Sequence, residues 1–203
     1  MTMIKLYHAP RTRSIRILWL LEELGLPYQL ATIAFKPPRH SFEQDTPAGK
    51  FPVIEDGGLV MSESGAILEY LIEKYGNGQL APAAGSPERG PYLQWVHFAE
   101  ATAMPPVNDI TRHTLLLPEA ERIPKAAEDG RVRATNVLNV VDRALAGKDY
   151  LVGHELSGAD IMMGYFLMAA RMLGVVAAAH ANVGAYWDRL AVRRPLQKAL
   201  NTP

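Results

Sequence analysis

Over residues 3–34 a β-prone run gives way to a segment of helical periodicity and then to a second β-prone run. That order restricts the fold more than any other feature of the chain. Residues 3–7 are short and apolar and lead to Pro10. Ile17, Leu20, Leu21 and Leu24 then recur at helical spacing over residues 14–24, while Ile15, Leu18 and Trp19 form a second apolar face, so this helix is expected to be covered on most sides. Gly25 and Pro27 close it, and residues 28–34 read as a second strand. Strands joined through a helix are parallel neighbours linked by a right-handed crossover, so an α/β layer opens the chain.

Residues 35–49 are polar and contain proline, with one short helix expected around residues 41–44. Residues 51–55 and 59–62 are short apolar strands separated by Asp56-Gly57-Gly58, the composition of a hairpin turn. Ile67, Leu68, Leu71, Ile72 and Tyr75 then line one stripe of a helix over residues 64–75. Gly, Pro, Ala and Ser crowd residues 76–87, which marks a linker. Beyond it no strand is expected; helical stretches fall near residues 88–116, 121–146, 157–173, 183–190 and 195–200. The expectation is an α/β domain over residues 1–78, ordered βαβ then ββα, and an all-helical domain over residues 88–203.

Charge and cysteine usage narrow the chemistry. Lysine plus arginine equal aspartate plus glutamate at 21 each, so no global field draws the chain to nucleic acid or an anionic membrane, and a small partner is expected. There is no cysteine, which excludes disulfides, thiolate metal sites and a thiol nucleophile supplied by the protein. No metal is expected. The amino terminus carries no export signal, so the cytoplasm is the default location. Residues 161–179 carry only Arg171 as a charge and are long enough to span a bilayer, yet Gly164, Gly174 and a capping box at the start identify a buried core helix. In that box Ser157 is the N-cap, Asp160 reaches back to it, and Leu156 is the staple.

The order of elements, the run Lys50-Phe51-Pro52-Val53, the run Glu63-Ser64-Gly65-Ala66-Ile67, and Leu151-Val152-Gly153 leading to Ser157 and Asp160 together resemble the cytosolic glutathione transferase family over nearly the whole chain. Residues 17–25, Ile-Leu-Trp-Leu-Leu-Glu-Glu-Leu-Gly, are similar to its bacterial and fungal branches. The resemblance implies a thioredoxin-like first domain that binds glutathione as co-substrate, a helical second domain that contributes the site of a small electrophile, a homodimer, and a role in detoxification. It also implies that Pro52 is cis, that Val53 pairs through its backbone with the cysteinyl part of glutathione, that Glu63 and Ser64 hold the γ-glutamyl end, and that Lys50 meets the glycyl carboxylate. Read as residues alone, Glu63-Ser64 is also an ordinary helix start and Lys50 an ordinary surface lysine.

A free thiol titrates near ~8.5, and lowering that by about two units takes roughly 2.7 kcal/mol of preferential thiolate stabilisation. A donated hydroxyl supplies about 1.5–3 kcal/mol and a helix amino terminus about 0.3–1. Thr12, between the first strand and the first helix and four residues before Arg16, resembles the serine of the serine-type members and is the expected activator. Tyr7 is the rival, matching a tyrosine branch of the family. Arg11, Arg13 and Arg16 crowd the same helix start, where a bound anion or acidic side chains must compensate them. The same thiolate serves isomerisation, peroxide reduction or dehalogenation equally well, and the fold also occurs as a non-catalytic interaction module.

Overall fold

The computed structural model describes residues 3–35, 42, 43, 46 and 49–203. Of the short helix expected around residues 41–44, Ser41 and Gln44 lie outside the described residues. Contacts divide the chain into two compact units, Met1–Ala81 with Ala191–Pro203, and Pro82–Leu190.

The first unit runs β1 (Ile4–His8), α1 (Ser14–Glu23), β2 (Tyr28–Thr32), β3 (Val53–Asp56), β4 (Leu59–Ser62) and α2 (Ser64–Tyr75). The sheet order is β2-β1-β3-β4. β1 and β2 are parallel, as the crossover demands, and β3 is antiparallel to both β1 and β4. This is the thioredoxin-like arrangement expected from the sequence. The β3–β4 turn consists of Gly57 and Gly58 alone, with φ of 58° and 89°. Two consecutive positive φ values are what a tight two-residue hairpin requires, and glycine takes them without steric cost. Asp56 consequently belongs to the strand, where it pairs with Leu59. The strand begins at Val53 and not at Phe51, because Pro52 has no N–H to give the ladder.

Every residue of α1 from Ser14 to Leu21 is buried. Such a helix needs cover on every side, and the sheet and α2 do not supply all of it. The remainder comes from the last helix, α8 (Arg194–Asn201), whose Leu196 and Ala199 are buried. Arg193 forks onto Glu23 through Nε at 2.6 Å and Nη2 at 2.8 Å, and Lys198 reaches Glu22 at 2.6 Å. Within the stretch expected as one helical domain, residues 191–203 pack with the first unit, because α1 carries two apolar faces.

The second unit contains α3 (Arg89–Phe98), α4 (Met104–Thr111), α5 (Pro124–Ala144), α6 (Gly158–Met172) and α7 (Ala181–Ala191). The single stretch read over residues 88–116 is broken by wider π turns at Ala99–Ala103 and Arg112–Leu116. Pro105 and Pro106 follow the first break, where they sit without an N–H to donate back. α5 crosses α4 at Gly130, where a Cβ would lie 2.9 Å from the Pro106 carbonyl oxygen and from Ile110 Cγ1.

α6 is buried continuously from Gly158 to Leu167, and no helix among the described residues is long and apolar enough to cross a membrane. Ser157 is its N-cap, and the Asp160 carboxylate accepts from the Ser157 amide and hydroxyl at 2.8 Å each. It also accepts from the Leu151 amide at 3.0 Å and the Tyr186 hydroxyl at 2.7 Å. Burial pushes the Asp160 carboxyl up, against these donors, and lifts the Tyr186 hydroxyl well above its ordinary value. The box thus ties the preceding loop and α7 to α6. Replacing Asp160 by alanine orphans buried donors that cost about 1–3 kcal/mol each. A loss of about 3 kcal/mol or more is expected in urea denaturation, against about 1–2 kcal/mol for Tyr186→Phe; equal losses for the two variants would contradict the shared anchor.

Candidate functional site

The register of the sheet gathers the residues singled out by the sequence at one end. Tyr7, the penultimate residue of β1, pairs with Val53, the first of β3, and Val53 pairs with Ser62, the last of β4. The chain therefore leaves β1 toward Thr12, enters β3 from Lys50 and leaves β4 toward Glu63 and Ser64 at a common edge. The Phe51–Pro52 peptide is cis, Pro52 and Val53 are buried, and Lys50 is exposed.

Between β1 and α1 a buried network fills the turn. The Thr12 hydroxyl donates to the Ala9 carbonyl at 2.7 Å and lies 2.7 Å from Ser14 Oγ. Ser14 Oγ in turn lies 2.8 Å from His8 Nδ1. His8 and Ser14 are inaccessible, whereas Thr12 keeps 9% of its surface. Burial lowers the His8 imidazole below its ordinary value; the Thr202 backbone opposes this weakly, outside hydrogen-bond geometry. α1 starts here without a side-chain cap.

Glu63 and Ser64 begin α2. Glu63 is exposed, with φ 71° and ψ 106°, a backbone region that costs a non-glycine residue about 1–3 kcal/mol and concentrates at functional sites. Arg11, at φ 63°, is the corresponding case in the β1–α1 turn. Ser64 is buried, and its Oγ accepts from Arg16 Nη1 at 2.9 Å. Arg16 is itself fully buried. The guanidinium thus links the first turns of α1 and α2, and brings Thr12 and Ser64 into one region although 52 positions separate them in the sequence.

Tyr7 points elsewhere. Side chains alternate along a strand, so Tyr7 shares a face with Lys5 while His8 lies on the other with Ile4 and Leu6. The Tyr7 hydroxyl donates to the Glu55 carboxylate and accepts from Lys5 Nζ at 2.7 Å. Tyr7, then Lys5, hold the Glu55 carboxyl below its usual range, and Tyr7, then Glu55, raise the Lys5 ammonium. The rival hydroxyl is engaged on the face opposite His8.

Two participants were not legible as such. In the sequence Arg16 is one of three arginines crowding the start of α1, and His8 follows a strand expected to end at residue 7. The signal for His8 was its place in the alternation of Ile4 and Leu6, visible once β1 extends one residue further. Among the described residues no cluster of three metal-ligating side chains occurs.

The family described as "Glutathione S-transferase, N-terminal domain" matches residues 6–81, and "Glutathione S-transferase, C-terminal domain" matches residues 103–194. Glutathione S-transferase 3 of Schizosaccharomyces pombe is 30% identical over 95% of this chain and 84% of its own length. A glutathione transferase homologue from Lodderomyces elongisporus, crystallised with two glutathione molecules per subunit, superposes at a TM-score of 0.91 with 25% identity, covering 100% of both chains. The theta class glutathione S-transferase of Xanthomonas axonopodis pv. citri, with glutathione bound, gives a TM-score of 0.87 and 27% identity over 100% of this chain and 99% of that one.

The buried imidazole generates a pH dependence. A histidine whose folded pKa is depressed contributes stability above its unfolded pKa of about 6.5, and that contribution is lost as pH falls toward the folded value. Between pH 7.5 and 5.5 the wild type is therefore expected to lose more unfolding free energy than His8→Asn, as read by denaturation at each pH; parallel curves would place His8 in contact with solvent.

Proposed function

The chain belongs to the glutathione S-transferase family and is a glutathione transferase with glutathione as co-substrate, and we propose that Thr12 stabilises the glutathione thiolate at the sheet edge where Val53, Glu63 and Ser64 hold the rest of the tripeptide. The observation that carries this reading is the Arg16–Ser64 hydrogen bond, which joins the helix start beside Thr12 to the helix start that follows Glu63.

In this reading the Val53 backbone meets the cysteinyl residue as an added strand would. Glu63 takes the γ-glutamyl amine. Ser64, the first-turn amides of α2 and the positive charge of Arg16 take its carboxylate. Lys50, exposed before the cis peptide, takes the glycyl carboxylate. The thiol loses its proton to solvent, and the Thr12 hydroxyl turns from the Ala9 carbonyl to donate to sulfur, beside the amino end of α1. Hydroxyl and helix together cover the roughly 2.7 kcal/mol that a two-unit shift requires. The thiolate then forms a bond to the electrophilic carbon of a small substrate, whose site the helical domain contributes, while the leaving group departs with its electron pair. We place the enzyme in the cytoplasm, as a detoxifying homodimer; light scattering checks the assembly. Isomerisation, peroxide reduction or dehalogenation uses the same thiolate, and a panel of electrophiles, peroxides and halogenated compounds separates them. A protein that binds glutathione without turning over any of these compounds would be the non-catalytic form of the fold.

Glu63→Ala with Ser64→Ala is expected to abolish or greatly weaken glutathione binding in calorimetry. Ser64→Ala also removes a partner of a buried guanidinium, so Glu63→Gln is the variant that reads binding without that cost. Unchanged affinity in folded Glu63→Gln and in the double variant would reduce the pair to a helix start.

Thiolate absorbance of the glutathione complex against pH tests the activator. Thr12→Ala is expected to raise the bound thiol toward its free value, Thr12→Ser to preserve activation or improve it by removing the β-branch, and Tyr7→Phe to leave it in place. A shift in Tyr7→Phe with none in Thr12→Ala would transfer the role to tyrosine.

A further inference from the structure

We propose that His8 and Ser14 are positioning residues for thiol activation, through a hydrogen-bonded chain that runs from His8 Nδ1–H to Ser14 Oγ, from Ser14 Oγ–H to Thr12 Oγ1, and from Thr12 Oγ1–H to the glutathione sulfur. The proposal rests on Thr12 being the residue that faces the sulfur.

The geometry supplies each link in the free protein: 2.8 Å from Nδ1 to Ser14 Oγ and 2.7 Å from Ser14 Oγ to Thr12 Oγ1. Burial orders the chain. His8 and Ser14 are inaccessible and Thr12 retains 9% of its surface, so the series begins inside the unit and Thr12 is its member nearest solvent. Without ligand both hydroxyls have a second acceptor in the Ala9 carbonyl, at 2.7 Å from Thr12 and 3.2 Å from Ser14. Turning the two hydroxyl hydrogens frees the Thr12 donor for another acceptor, while the Ala9 carbonyl keeps the Thr12 amide at 3.3 Å.

The direction of the chain follows from the imidazole. Burial keeps the ring neutral, so it carries one N–H. Nε2 is buried, and the Thr202 backbone near the ring lies outside hydrogen-bond geometry, whereas Ser14 Oγ stands 2.8 Å from Nδ1. A buried N–H without an acceptor is rarer in proteins than an acceptor left with a spare lone pair. The proton therefore belongs on Nδ1, the nitrogen that meets Ser14. Donors in series polarise one another, each strengthening the next. Thr12, receiving from Ser14, becomes a better donor to an anion than an isolated hydroxyl. Glutathione itself gives up its thiol proton to solvent; no proton leaves the chain, and no residue of the chain changes charge.

The experiment is the absorbance titration of the glutathione complex for Ser14→Ala, His8→Phe and His8→Asn, beside Thr12→Ala. Ser14→Ala and His8→Phe are expected to raise the bound thiol by about half a pH unit, a roughly threefold loss of thiolate on the steep part of the curve. His8→Asn, whose amide nitrogen takes the place of Nδ1, is expected to restore the wild-type value. Ser14→Ala added to Thr12→Ala is expected to produce no further shift, whereas a residue that merely supports the turn would add its own effect in that background. Should Ser14→Ala not fold, the contrast between His8→Phe and His8→Asn decides. A shift in Thr12→Ala with none in Ser14→Ala or His8→Phe overturns the chain and leaves Thr12 as activator; no shift in Thr12→Ala removes the activator itself and the chain with it.

Discussion

Arg16 places a guanidinium where two general rules oppose it. It is fully buried, and it lies in the first turn of α1, where the helix dipole disfavours a cation. Burying an ion costs several kcal/mol unless its hydrogen bonds are made, so the surroundings have to be built around it. Ser64, the first residue of α2, is part of what is built: it accepts from Nη1 at 2.9 Å. The bond fixes the start of one helix relative to the start of the other. The turn that carries Thr12 and the strained residue Glu63 are thereby held together, although they belong to different supersecondary units.

The same constraint explains why the carboxy-terminal helix returns to the first unit. α1 has to be anchored firmly if its first turn is to hold Arg16 in place, and it is buried on every side from Ser14 to Leu21. α8 completes that burial and is secured at its rim by acidic residues near the end of α1. Glu23 accepts from Trp19 at 2.8 Å and from the forked Arg193, and Glu22 accepts from Tyr28 and Lys198. Glu23 is mostly buried, so its bidentate arginine counts for more than an exposed pair of the same length.

What was legible in the sequence was local or periodic. The crossover unit, the Gly57-Gly58 turn and the capping box of Ser157 and Asp160 each depend on a few adjacent residues, and each is found where the chemistry of turns and caps puts it. What was not legible depends on partners far along the chain. No local pattern distinguishes α8 from the helices before it, since the demand for cover arises on α1, some 170 residues earlier in the case of Arg193 and Glu23. Asp160 shows its capping role locally, but Tyr186 reaches it from 26 residues away. At the site, one residue of strand length mattered: ending β1 at residue 7 leaves His8 in a loop, whereas ending it at His8 sends the imidazole to the buried face with Ile4 and Leu6.

That alternation also separates the two hydroxyls that the sequence left in competition. Tyr7 and His8 are adjacent, and therefore face opposite sides of the sheet. On its side, Tyr7 meets Glu55 and Lys5, and a phenol hydrogen already donated to a carboxylate has to leave a charged acceptor before it can serve a thiolate. Thr12, on the side of His8, has its hydrogen on a neutral carbonyl that keeps a backbone donor when the hydroxyl turns away. A charged acceptor holds a donor roughly twice as strongly as a neutral one. Redirecting Thr12 is therefore the less costly of the two motions. That difference favours the threonine over the tyrosine as donor to a bound thiolate.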